Sequence, residues 1–156
     1  MSFRGRGPPR QGGGPAQVEG RNILELDYPE LGKYAEGLVE RNLIHISMTK
    51  MRRLHQEIAR IRDVAMGSEG LEGCTKLLPH LRYLLAYTYG RLEGREKENF
   101  KEYMETLKRS IDAILQNRDL QKLRESVEKL YMFSEAVVAY HKYHEELKKE
   151  EREGRA

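Results

Sequence analysis

Met48-Thr49-Lys50-Met51-Arg52-Arg53-Leu54-His55-Gln56-Glu57-Ile58-Ala59-Arg60-Ile61-Arg62-Asp63-Val64-Ala65 places Met51, Leu54, Ile58, Ile61 and Ala65 at alternating steps of three and four. That is the period of one face of an α-helix, and no strand has it. The spacing predicts a helix from about Met48 to Met66, with Ser47 or Thr49 as N-cap. The outward positions are cationic. From Ile46 to Arg62 the chain carries Lys50, Arg52, Arg53, Arg60 and Arg62 against the single acid Glu57.

The same period continues on both sides, punctuated by glycine and proline. A first helix is expected from about Tyr28 to Glu40, with Asp27 as N-cap, Pro29 in its first turn, and an apolar stripe of Tyr28, Leu31, Ala35, Leu38 and Val39. Gly67-Ser68-Glu69-Gly70 closes the second helix. A third is expected from about Lys76 to Tyr89, with Pro79 near its first turn and Gly90 as its C-terminal cap. A fourth spans about Lys97 to Gln116 with Phe100, Met104, Leu107, Ile111 and Ile114 inward. Asn117-Arg118 makes a turn, and Asp119 caps a fifth helix from about Leu120 to Leu147. Its middle, Leu130 to Tyr140, is apolar almost all round, the pattern of a central helix. No run alternates with period two. The fold class is therefore all-α, a compact bundle of five helices.

Three regions are expected. Residues 1–22 hold six glycines and three prolines with almost no large apolar side chain, which reads as a disordered tail. Residues 23–147 form the bundle, and 148–156 a frayed, mixed-charge end. Arg4, Arg6, Arg10 and Arg21 against Glu19 give the tail the whole chain's surplus of +3, so residues 23–156 are neutral. A neutral body argues against a general nucleic-acid coat and directs attention to where charge gathers. Residues 23–40 carry Lys33 against five acids; residues 41–62 carry six cations against Glu57; residues 76–91 carry Lys76, Arg82 and Arg91 with no acid.

Enzymatic chemistry finds no support in the residue pattern. No Gly-rich phosphate loop follows a strand, and neither Ser47 nor Ser134 has a nucleophile-elbow context. His141 and His144 share a helix face, but no glutamate precedes a histidine by three residues and HExxH is absent, so no metal and no cofactor are expected. The pair reads as two polar positions where the helix leaves its core. One cysteine, Cys74, excludes an intramolecular disulfide framework and reads as an inert residue at a helix start. No apolar run is long enough for a membrane span and no signal-peptide core is present, so a cytoplasmic protein is expected.

The cations are different. Acids are scarce on the second helix, so i, i+4 pairing does not account for its arginines. Basic side chains on a helix reach a phosphate backbone without reading base sequence. Tyr83 and Tyr87, one turn apart, could stack on bases, although tyrosines more often close a core. The expectation is a binding protein with phosphate as partner; a protein-binding adaptor and a metal-dependent bundle are the competing readings.

Three stretches resemble a known family, the small subunit of type III-A CRISPR effector (Csm) complexes. They are Ile46 to Leu54, with its hydroxyl-rich start and apolar-Arg-basic-apolar run; Leu78-Pro79-His80-Leu81-Arg82-Tyr83 to Arg91; and, most specific, Phe133-Ser134-Glu135-Ala136-Val137-Val138-Ala139-Tyr140-His141-Lys142-Tyr143. The second departs from the family pattern at Tyr87 and Tyr89, where smaller residues are expected. The likeness covers roughly residues 28–145. It implies a non-catalytic subunit whose copies stack along the guide RNA–target RNA duplex, opposite the backbone subunits and touching the large polymerase-like subunit at one end. With the charge pattern, it marks Lys50, Arg52, Arg53, Arg60, Arg82 and Arg91 as the RNA-facing set.

Overall fold

The computed structural model describes residues 20–155. The expectation for residues 1–19 lies outside these. The all-α expectation holds: five helices pack into one bundle around a continuous apolar core, with no strand among the described residues. They are α1 (Tyr28–Leu38), α2 (Met48–Ala65), α3 (Gly70–Arg91), α4 (Gly94–Ile114) and α5 (Leu120–Arg155).

The bundle begins earlier than expected. Gly20 is buried, and a Cβ there would collide with the backbone of Glu105 and Thr106. Arg21 N donates to Thr106 Oγ1 (3.1 Å) and Ile23 N to Ser110 Oγ (3.2 Å). Two hydroxyls on α4 thus satisfy backbone donors of an arriving segment that has no secondary structure of its own before Ile23. Asn22 then caps a 3₁₀ turn, Ile23–Glu25, that buries Ile23.

α1 opens with a reciprocal capping box. Asp27 Oδ1 accepts from Glu30 N (2.8 Å) and Glu30 Oε1 accepts from Asp27 N (3.0 Å). The helix does not stop at Glu40 but widens into a π-helical turn, Val39–Leu43. The wider turn lets Leu38, Val39 and Leu43 all be buried, while Arg41 and Asn42 reach Glu102 on α4 at 2.7 and 3.0 Å.

α2 follows the sequence closely. Ser47 is the N-cap, its Oγ accepting from Lys50 N (3.2 Å), and Met51, Leu54, Ile58, Ile61 and Ala65 are all fully buried. α3 does not. It starts at Gly70, six residues before Lys76, so Pro79 sits inside the helix. Gly70 lies so close to the end of α2 that a Cβ would stand 2.5 Å from the Ala65 carbonyl oxygen. Buried Cys74, one turn on, points its thiol at Ile61 O (3.8 Å). Gly90 is not a cap either. α3 runs to Arg91, Leu92 N turns back to Tyr89 O, and the left-handed glycine is Gly94 at φ +59°, where α4 begins. On α4, Tyr103 rather than Met104 takes the core position.

α5 is helical to Arg155, past the expected Leu147, and at 36 residues is about 54 Å long. It packs on all four other helices, most extensively on α2 and α1. His141 was expected where this helix leaves the core. It is instead buried, and its Nε2 donates to Ile46 O at 2.7 Å, fixing the loop that leads into α2.

His55 on α2 meets Ser134 Oγ on α5 through Nδ1 (2.9 Å) and lies on the Tyr131 ring. Burial lowers its pKa from the usual 6.5, and the Glu135 charge offsets this only in part. As pH falls through about 6.5, the unfolded chain takes up a proton that folded His55 refuses. Stability associated with this group is therefore present above that value and lost on acidification. Urea unfolding between pH 7 and pH 5 is expected to show a smaller loss of stability for His55→Gln than for the unaltered protein.

Candidate nucleic-acid interface

Burying the 51-54-58-61-65 stripe of α2 forces Arg52, Arg53, Gln56 and Arg60 to the surface. α3 runs antiparallel beside it, so its last turn meets the first turn of α2. Between them lies a recess of about 250 Å³, walled by Lys50 and Arg53 from α2 and by Tyr87, Thr88 and Arg91 from α3. Ser47 and Thr49 contribute hydroxyls at its rim. The cationic surface continues around α2 through Arg52 to Gln56.

Three observations set this place apart. First, Lys50 stands in the first turn of α2, which holds no acid. A helix N-terminus already carries about half a positive charge, so a cation there works against local stability. Second, among the described residues none of Lys50, Arg52, Arg53 and Arg91 pairs with a carboxylate. Third, the one polar partner of Arg91 is a neighbour in the recess: Nη1 donates to Tyr87 OH at 2.8 Å. That bond, with the charges of Arg91 and Arg53, lowers the Tyr87 pKa below its usual 10.

The expected RNA-facing set therefore divides. Lys50, Arg52, Arg53 and Arg91 come together. Arg60 lies two turns along the same face of α2, 3.8 Å from Glu57, whose other oxygen faces His80 Nδ1 at 3.2 Å. Arg82 is turned to α4, its Nη1 donating to Asp112 Oδ1 (2.8 Å) and Lys108 O (3.4 Å), where it ties two helices together. Arg62 is tied too, with Nε 2.6 Å from Glu128 and its guanidinium 4.4 Å from the centre of the Tyr131 ring. Thr49, a candidate N-cap by sequence, lines the recess, and so does Tyr87. Tyr83 borders a different notch, with Met104 and Lys108 of α4. The four-residue step from Tyr87 to Arg91 was the available signal.

Among the described residues, no three of His, Cys, Asp and Glu come together in a metal-binding arrangement. His141 is engaged with Ile46, and His144 Nε2 lies 3.6 Å from Glu40. No described helix is long and apolar enough to cross a membrane.

Fold and surface together define an all-α bundle with a cationic groove at one end. The profile of the family described as Csm2 Type III-A matches residues 25–147, nearly the whole bundle. The chain belongs to this family, the structural small subunit of type III-A CRISPR (Csm) complexes. Neither a characterised protein nor a solved structure gives a significant match to the chain.

Proposed function

We propose that the protein is a non-catalytic, RNA-binding small subunit that grips a phosphate backbone through the α2–α3 groove. Copies stack along the guide RNA–target RNA duplex, beside the backbone subunits and the large polymerase-like subunit, within the cytoplasm. The observation that carries this reading is the convergence of Lys50, Arg52, Arg53 and Arg91 with no carboxylate among them. Like charges gathered at the positive end of a helix raise the energy of the free protein, and a polyanion relieves that cost. The bundle as a whole carries no net charge and is acidic outside the groove, so attraction is local to the groove. Membership of the type III-A small-subunit family supports the choice of RNA as that polyanion. The acidic start of the bundle, opposite in sign to α2, suits contact between successive copies.

Arg53 lies at the centre of the groove and tests the reading. Arg53→Ala is expected to weaken binding to every RNA sequence alike. The slope of log affinity against log salt should become shallower by about 0.7 on single strands and 0.9 on duplex, one phosphate contact's worth. Filter binding over a salt series measures both. Unchanged affinity at every salt concentration would make Arg53 a solvated surface residue and overturn the proposal. A flat salt response of the unaltered protein would favour an acidic protein as the partner.

A further inference from the structure

Phosphate binding accounts for the cations of the groove but not for Tyr87. Its side chain is 53% exposed, while the inward positions of α3 are filled by Leu78, Leu81, Leu85 and Thr88. A large ring left half in water forgoes the burial that usually holds a tyrosine in place. Three other tyrosines are occupied: Tyr34 stacks on Phe133, Tyr103 is in the core, and Tyr131 lies under Arg62. Tyr28 and Tyr143 are exposed to a similar degree, but they lie against Lys129 and His144 and do not line the cationic recess. Among the described residues no second ring packs on Tyr87. Arg91 donates to its hydroxyl at 2.8 Å and stands over the ring 5.6 Å from its centre, at the outer limit of a cation–π contact. The ring is thus oriented by Arg91 and stays half exposed inside a cationic recess.

We propose that Tyr87 is a stacking platform for an unpaired RNA base, so that the groove takes single-stranded RNA, its phosphates on Lys50, Arg53 and Arg91 and one base on the ring. The proposal rests on the phosphate reading above and narrows its ligand. A base has a π-face whatever its identity, so stacking adds affinity without base preference. A paired base is already stacked within its own helix and offers no free face. At about 250 Å³ the recess is at the small end of ligand sites and admits one base-sized group, not a double helix. Tyr83 is a built-in comparison: it is more exposed (69%) and only one turn away, but borders the notch toward α4.

The test uses the full chain and three probes: a short single-stranded RNA, the same sequence as a duplex, and inorganic polyphosphate. Tyr87→Ala is expected to weaken the single strand roughly tenfold, leave the other two within about twofold, and keep the salt slope, because the phosphate contacts remain. Tyr87→Phe keeps the π-face without the hydroxyl and should bind single strands nearly as well as the unaltered protein. Tyr87→Leu keeps apolar bulk without the π-face and should behave like alanine, and Tyr83→Ala should change nothing. An equal loss on all three probes, or no loss on the single strand, overturns the stacking proposal. Arg53→Ala separates the two levels. If it weakens every probe while Tyr87→Ala leaves the single strand unchanged, stacking alone fails. If it is silent, the phosphate reading beneath it fails.

Discussion

Phe133→Ala lowers the unfolding free energy by about 3–5 kcal/mol, the range for removing a fully buried phenylalanine. The upper half of that range is expected because the ring is a shared wall. It stacks on Tyr34 of α1 at 5.8 Å and 15°, and meets Tyr103 of α4 at 6.1 Å. Tyr34 in turn contacts Glu102 (2.9 Å) and Thr106 (2.8 Å), and Thr106 holds the backbone of Arg21. Burial, the largest influence on Tyr34, raises its pKa to about 12, so the hydroxyl is a neutral member of this network throughout the physiological range. Helices α1 and α4 close on this one side chain of α5, with the incoming segment tied to them through Thr106, and helices held from several sides collapse poorly into a void. Domains of this size are stable by about 5–15 kcal/mol, so the variant loses between about a quarter and all of that margin. Urea unfolding measures it. A loss below about 1.5 kcal/mol would mean that α1 and α4 can close the gap, and that the core is softer than its burial indicates.

The elements readable from sequence are those whose signals agree. Ser47 and the 51-54-58-61-65 stripe both point to one α2, and α2 is where expectation and structure coincide. The start of α3 is not legible in the sequence, because two local signals are outweighed by packing. Gly70 looks like a break in isolation. In the fold its missing side chain admits the Ala65 carbonyl, so the helix can start against α2. Pro79 looks like a helix beginning. Mid-helix it removes one bond to the Thr75 carbonyl, and Thr75 is exposed, so water can replace it. The π-helical turn after α1 has no sequence signature at all; it answers to Glu102, some 60 residues away.

That cations gather on α2 is legible in the sequence; which of them lack a carboxylate partner is not, for a related reason. A sequence displays i, i+3 and i, i+4 partners only. Arg82 and Asp112 are 30 residues apart, and Arg62 and Glu128 are 66 apart. Both arginines look free until α4 and α5 are laid against α3 and α2. His141 was misjudged likewise, since its partner is a backbone carbonyl 95 residues away.

That partition underlies the largest expected effect on binding. The triple variant Lys50→Ala, Arg53→Ala, Arg91→Ala is expected to weaken RNA binding about 100-fold or more at moderate salt. Each charge-assisted contact is worth on the order of 1.5–3 kcal/mol, and the sum is discounted because neighbouring contacts overlap. The salt slope on single strands should become shallower by about 2. Folding stability should stay within about 0.5 kcal/mol or rise slightly, because these side chains hold no carboxylate and repel one another. The double variant Arg60→Ala, Arg82→Ala supplies the contrast. It removes nearly as much charge, but Arg82 braces α3 on α4 and Arg60 leans toward Glu57. It should therefore leave the slope nearly unchanged and cost stability instead. Titrations of both variants against one single-stranded RNA at several salt concentrations, read beside their unfolding curves, decide the matter. Equal losses of affinity would show that RNA responds to total charge, and the groove would lose its claim to be a site.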